Sequence, residues 1–275
     1  MTTIATDTGE IFTVPASSQV NASHHGQVIV SGSYGGEYNA FHAGKWGLRG
    51  VVLNDAGVGK DNAGVRGIFY LEQIGLAAAT ADVNTCHIAD GEHMLAHGIV
   101  SHVNRFAAAL GCVAGDTVRA TAERMRHARI ATGELSPISG GKRYTVSETP
   151  GKPRVICLDA APMLTPQDKG AIAVTGSHAA LFRGKPDNII SVRLRAVFFS
   201  DGGVGMDAAG VSRLPDLDAK HIPAGAAAAM SASIGDSRSI YNEGILSHVN
   251  EAARREGIVV GMPVKAAVDR LLAAS

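Results

Sequence analysis

The sequence predicts an α/β protein of two pseudo-symmetric Rossmann-like halves, with mostly parallel sheets covered by helices. Three observations carry that expectation. The stretch NDAGVGKDNAG, Asn54 to Gly64, returns as SDGGVGMDAAG, Ser200 to Gly210, 146 positions later. The same offset lays Ser247-His248-Val249-Asn250 on Ser101-His102-Val103-Asn104 without a gap. Short apolar runs also alternate with helical stretches, the pattern of a parallel sheet with helices on its faces. An internal duplication accounts for all three. It gives a first repeat over 1–130, a hairpin-containing connector over 131–153 and a second repeat over 154–275.

Each element follows from local pattern. Glu10–Val14 reads as extended. Gln27–Val30 is a buried strand running into a tight turn at Ser31-Gly32-Ser33. Glu37–Trp46 is helical and Gly47 stops it. Leu48–Leu53 is a second buried strand, closed by the Asn54-Asp55 loop. Ala63–Ile74 is a helix with Val65, Ile68, Phe69 and Leu71 on its apolar side and Gly75 as its stop. Leu76–Val83 is a third strand of small apolar residues. Asp90 caps a long helix from Gly91 to Leu110, and Asp116–Arg129 is another. Arg143–Ser147 and Arg154–Leu158 flank Pro150-Gly151, a hairpin signal. The second repeat then runs through strands at Ile172–Thr175 and Val192–Phe199, and a helix at Ala208–Leu217. A small apolar run at Ala224–Ala232 follows. A long helix at Asp236–Glu256 and a last one at Pro263–Leu272 complete it, with Pro in the first turn of the last.

Composition narrows the classes. Lys+Arg and Asp+Glu balance at 25 each, so no general field draws the chain to nucleic acid or an anionic membrane surface. Cys86, Cys112 and Cys157 are an odd number without metal spacing, which fits a reducing cytoplasm. The N-terminal stretch lacks the basic flank and apolar core of a secretory signal. No apolar run reaches bilayer-spanning length.

The duplicated Asp-x-Gly-Val-Gly loop follows a buried strand and precedes a helix. Its glycines let backbone approach a ligand, and Asp55 with Asp61, or Asp201 with Asp207, bring carboxylates to the same sheet edge. The plain alternative is an Asp-capped turn preserved by the fold alone. The glycine spacing is neither the dinucleotide fingerprint nor the P-loop frame, so no nucleotide cofactor is expected. A divalent metal stays open, but no residue is assigned as a metal ligand. Glu92-His93…His97 has two histidines one turn apart without the His-Glu-x-x-His order, which reads as a solvated helix face.

Ser31-Gly32-Ser33-Tyr34-Gly35 and Thr175-Gly176-Ser177-His178-Ala179 partly match a nucleophile elbow, but the first glycine is missing in both. Ser33 and Ser177 are instead expected to bind substrate with amides and a hydroxyl, or simply to cap a helix. Ser-His-Val-Asn falls inside the expected long helices. His102 and His248 are there either proton-transfer or substrate groups, or packing residues at the pseudo-twofold.

The copies also differ. The first loop has Asn54, Lys60 and Asn62 where the second has Ser200, Met206 and Ala208. The second repeat has Arg238, suited to a substrate carboxylate, where the first has Glu92. The resulting expectation is an enzyme acting on a small carboxylate- or amide-bearing metabolite between the repeats, hydrolysis being the first choice of reaction. Asp55, Lys60, Asp61 and His102 carry the chemistry. Ser33, Asn54, Asn62, Ser177, Asp201, Asp207, Arg238 and His248 bind substrate. A lyase or isomerase using Lys60, a non-enzymatic small-molecule binder and a homo-oligomer interface are the alternatives.

Overall fold

A computed structural model describes residues 8–138 and 141–274. Residues 1–7, which bear on the reading of a leader, and Ser139-Gly140, within the expected connector, lie outside them. The chain is α/β and forms two compact units. One comprises Met1–Asp55 with Val65–Ile138, the other Ala56–Gly64 with Ser139–Ser275. The Gly-Val-Gly segment of the first loop therefore belongs to the second unit.

The first unit contains β1 (Ile11–Val14), β2 (Val28–Tyr34), α1 (Glu37–Gly44), β3 (Gly50–Asn54), α2 (Arg66–Tyr70) and β4 (Ala77–Ala81). It continues with α3 (Gly91–His97), β5 (Val100–Val103), α4 (Arg105–Ala108) and α5 (Val118–Met125). Its sheet runs β1-β2-β3-β4-β5, parallel through β4, with β5 antiparallel at the edge. Val28, Val30 and Val52 face Met94, Val118 and Met125 on one side. Ile29, Val51 and Leu53 face Ala40, Ile68 and Leu71 on the other. Strands buried on both faces need continuous apolar runs, which is what the sequence supplies.

The second unit contains β6 (Arg143–Ser147), β7 (Val155–Leu158), β8 (Ile172–His178), β9 (Ala196–Ser200), α6 (Arg213–Ala219) and β10 (Ala224–Ala227). It ends with α7 (Ser237–Glu243), β11 (Leu246–Val249), α8 (Glu251–Arg255) and α9 (Val264–Ala273). Its sheet runs β11-β10-β9-β8-β7-β6, with the two edge strands antiparallel and the rest parallel. The hairpin expected around Pro150-Gly151 is the β6–β7 pair. Both sheets keep sequence order, without the reversal that creates the ligand crevice of a doubly wound sheet.

The two long helices of the sequence reading are corrections. Each breaks after seven residues, at Gly98 and Gly244, which adopt extended backbone (φ/ψ −63°/141° and −60°/131°). A Cβ on Gly98 would lie 2.7 Å from the Met94 carbonyl, and one on Gly244 2.4 Å from that of Ile240. Ile99, Val100 and Val103 in the next stretch are β-branched, and Val100–Val103 extends as β5. Ser247-His248 lies on β11 in the same way. Asn104 and Asn250 then cap α4 and α8, each accepting from a backbone amide three residues on.

Smaller departures have local causes. Phe69, expected on the apolar side, is 48% exposed, because α2 gives way to a 3-10 turn at Leu71–Ile74. Ser31-Gly32-Ser33 stays within β2, where the register against β3 slips between Val30 and Tyr34. Pro263 is the N-cap of α9 rather than part of its first turn. Among the described residues, no helix is long and apolar enough to cross a membrane.

Candidate active site

Ser33, Asn54, Asp55 and His102 fall in the first unit. Lys60, Asp61, Asn62, Ser177, Asp201, Asp207, Arg238 and His248 fall in the second.

The Gly-Val-Gly loops are built on left-handed backbone. Positive φ occurs at Gly57, Val58 (63°), Gly59, Asp61 (56°) and Asn62 (54°), and at Gly203, Val204 (60°), Gly205, Asp207 (52°) and Ala208 (54°). A β-branched valine in that region is a strained residue, tolerated only where surrounding contacts hold it. In the second unit these loops meet. A Cβ on Gly203 would lie 2.8 Å from Ala56 C and from Gly57 N, and one on Gly57 3.0 Å from Gly203 Cα. The Lys60 amide donates to the Ala229 carbonyl at 2.9 Å. The paired glycines thus permit backbone-on-backbone packing.

Lys60 and Asp61 are fastened rather than poised. Lys60 Nζ lies 3.0 Å from Glu243 Oε1 at the end of α7. Ser239 Oγ donates to the other Glu243 oxygen at 2.5 Å and accepts from the Ser233 amide at 3.0 Å. Ser233 Oγ donates to Asp61 Oδ2 at 2.7 Å. The ring closes through the Lys60–Asp61 backbone. The Ser239 hydroxyl, then Lys60, hold the Glu243 carboxyl below its usual range. Asn62 is exposed beside this ring. Asp207 occupies in its loop the position of Asp61.

Asp201, 4% exposed, accepts on Oδ1 from the Gly203 and Ala229 amides, both at 2.9 Å. Its Oδ2 accepts from Ser247 Oγ at 2.8 Å, and His248 Nδ1 lies 3.1 Å from that hydroxyl. Since the Ser247 proton goes to the carboxylate, His248 Nδ1 carries hydrogen and donates to Ser247. Its Nε2 then holds a lone pair. A register irregularity between Ala226 and Ala227 sets this edge, as β-bulges do where a side chain is re-aimed.

The first unit is built differently at the matching place. His102 Nδ1 lies 3.1 Å from Ser101 Oγ, but Ser101 bonds to Thr80, Oγ to Oγ1 at 3.0 Å. Asp55, 3% exposed, accepts from the Val83 amide at 3.0 Å. Asn54, fully buried, donates to Cys86 Sγ at 3.7 Å. Burial first pushes the Cys86 and Cys157 thiols up to about 12, so both stay protonated.

Ser33 and Ser177 serve as turn anchors. Ser33 Oγ accepts from the Ser17 amide and Ser177 Oγ from the Ala161 amide, both at 2.9 Å. Arg238, at the first turn of α7, lies 5.1 Å over the Tyr144 ring on β6. Lys60 engages the opposite end of that helix. A cleft of about 600 Å³ lined by Lys152, Arg154 and Lys169 sits at the amino ends of β7 and β8, remote in the sheet from these loops. Among the described residues, no group of three or more His, Cys, Asp or Glu could hold a metal ion.

One residue escaped the sequence reading. His178 ends β8 and pairs in register with Ser200. Burial, then the nearby Arg213, push its imidazole down to about 4. Between pH 6.5 and 4 the unfolded chain takes up a proton that the folded chain refuses. Stability therefore falls as pH drops through that window and levels off below it. His178→Gln is expected to remove about 2 kcal/mol of the stability difference between pH 7.5 and 5, read from urea midpoints at both pH values. An unchanged difference would contradict this.

Comparison of the chain with protein-family models, with curated proteins and with solved structures finds no match.

Proposed function

We propose that the chain is an enzyme that hydrolyses a small carboxylate- or amide-bearing metabolite, with His248 as the proton-transfer group. The observation that carries this reading is the Asp201–Ser247–His248 line at the carboxyl edge of the second sheet. His248 Nε2 takes a proton from water, and the water oxygen bonds to the substrate carbonyl carbon. The carbon–nitrogen bond then breaks, and the leaving nitrogen takes the proton back from the imidazolium. The buried Asp201 carboxylate supports the transient positive charge through the Ser247 hydroxyl. A positioned general base contributes roughly 10²–10⁴-fold.

The contacts of Lys60 with Glu243 and of Asp61 with Ser233 favour a fastening role for both, and so weigh against a lyase or isomerase run by Lys60. In the first unit Ser101 bonds to Thr80 where Ser247 bonds to Asp201, which supports a binding or structural use for His102. We also take the two units as products of one duplication. The 146-residue repeat and the order of four parallel strands followed by an antiparallel edge support that origin.

The test is turnover on a panel of small linear and cyclic amides, with wild type and His248→Gln, with and without a chelator. The expected result is turnover by wild type that falls at least 100-fold in kcat for the variant, with unchanged circular dichroism. Binding without turnover across the panel would make the chain a small-molecule binder and end the enzyme reading.

A further inference from the structure

The geometry points to a phosphate-binding site in the cleft at the amino ends of β7 and β8, for a phosphate group either free or carried by a small molecule. The site is independent of the His248 chemistry, which lies at the carboxyl edge of the same sheet. The cleft holds about 600 Å³, a volume within the range of small-molecule pockets. Lys152, Arg154 and Lys169 line it, against a single acid, Glu148. Three cations against one carboxylate leave an excess of two positive charges. That excess matches a phosphate dianion better than the single charge of a carboxylate.

Arg154 is held in place and still open to the cleft. Its Nη2 donates to the Gln167 carbonyl at 2.7 Å and to Asp168 Oδ1 at 3.0 Å. Its Nε and Nη1 have no hydrogen-bond partner among the described residues, and the side chain is 29% exposed. Arg143 balances Asp168 through both terminal guanidinium nitrogens, so the Arg154 charge is left to the cleft. Lys169, in the loop before β8, is exposed and its ammonium has no protein partner among the described residues. Lys152 Nζ donates one hydrogen to the Leu272 carbonyl at 2.8 Å and keeps two. The rim that carries Lys152 is stiff. Pro150 and Gly151, the latter at φ +78°, form a type II turn closed by the Lys152 amide on the Thr149 carbonyl at 3.1 Å. Cations on a pre-shaped rim lose little freedom when an anion binds.

The first unit shows that the fold does not require these charges. Arg154 precedes β7 as Glu10 precedes β1. The Ile172 amide donates to the Arg154 carbonyl at 2.8 Å, and the Val28 amide to the Glu10 carbonyl at 2.9 Å. The Gly170 amide donates to the Arg193 carbonyl at 2.9 Å, and the Gly26 amide to the Gly47 carbonyl at 2.8 Å. The residues before these glycines are Lys169 and His25. The same backbone bonds thus carry an acid and an imidazole in one unit and two cations in the other. Cations gathered around one cleft repel each other, and a bound dianion relieves that repulsion.

The experiment titrates wild type at low ionic strength with inorganic phosphate, glycerol phosphate and adenosine monophosphate, with acetate as the monoanion control, and follows backbone amide signals. The expected result is a saturable shift at Gly151, Lys152, Lys169 and Gly170 with at least one phosphate probe, and none there with acetate at the same concentrations. An ester that binds more tightly than inorganic phosphate assigns the site to a phosphorylated metabolite. Inorganic phosphate binding at least as tightly as both esters assigns it to the free ion. Lys169→Ala should weaken the best probe about threefold, and Lys152→Ala combined with Lys169→Ala at least about tenfold, both with wild-type circular dichroism. If a variant misfolds, the wild-type shifts decide alone. No saturable shift with any phosphate probe, an equal response to acetate, or unchanged affinity in the folded double variant overturns the assignment.

Discussion

Gly203→Ala is expected to undock the Ala56–Gly64 loop and to destabilise the second unit by about 2–4 kcal/mol. The new Cβ would sit 2.8 Å from two backbone atoms of Ala56 and Gly57, and backbone cannot turn aside as a side-chain tip can. Gly203 also holds φ +79°, so alanine adds conformational strain to the clash. Once the loops separate, the Lys60 amide loses the Ala229 carbonyl, and the ring of Lys60, Glu243, Ser239, Ser233 and Asp61 opens. Two readouts check this. The urea midpoint should fall, and trypsin should cut after Lys60 many times faster than in wild type. A variant with the wild-type midpoint and wild-type resistance at Lys60 would show that the loops do not depend on that packing.

Asp168→Ala is expected to cost about 3–5 kcal/mol, because it strands two arginines that now share a buried carboxylate. Asp168 is fully buried. It accepts from both terminal nitrogens of the Arg143 guanidinium, from Arg154 at 3.0 Å, and from the Thr165 amide and hydroxyl at 2.8 and 3.0 Å. Burial alone would raise its pKa. The Arg143 hydrogen bonds and the Thr165 donors outweigh burial and bring it down to about 2. The native contribution is therefore complete above the unfolded value near 3.8 and is lost as pH falls through 2. The β6–β7 hairpin, pinned by Arg143, should lose amide-exchange protection first in the variant. Denaturation curves that superimpose for the two proteins at pH 7 would contradict this role.

Much of the fold was legible because buried parallel strands announce themselves. Val28-Ile29-Val30 and Gly50-Val51-Val52-Leu53 are apolar on both faces and could be little else. The hairpin at Pro150-Gly151 was legible from turn chemistry. The long helices failed for one physical reason. Asp90 and Asp236 start true helices, and a helical period then continues through Gly98 and Gly244 into β-branched residues. Only tertiary contact, the close approach of Val118 to Gly98 and of Val264 to Gly244, shows that the chain must turn there.

The site divides the same way. Repetition located the loops and the Ser-His pairs, and comparison of the copies separated the loop bearing Lys60 from the one bearing Met206. The partners of those residues were not readable. Glu243 and Ser233 hold Lys60 and Asp61 from distant sequence, and Asp201 reaches Ser247 across β10.

The most direct measurement is kcat for Ser247→Ala beside His248→Gln on one amide substrate. With Ser247 positioning His248, the serine variant should lose roughly tenfold and the histidine variant at least 100-fold, both with wild-type circular dichroism. Equal, complete loss in both would make Ser247 the nucleophile instead. Wild-type kcat in both would remove the Asp201–Ser247–His248 line from the chemistry.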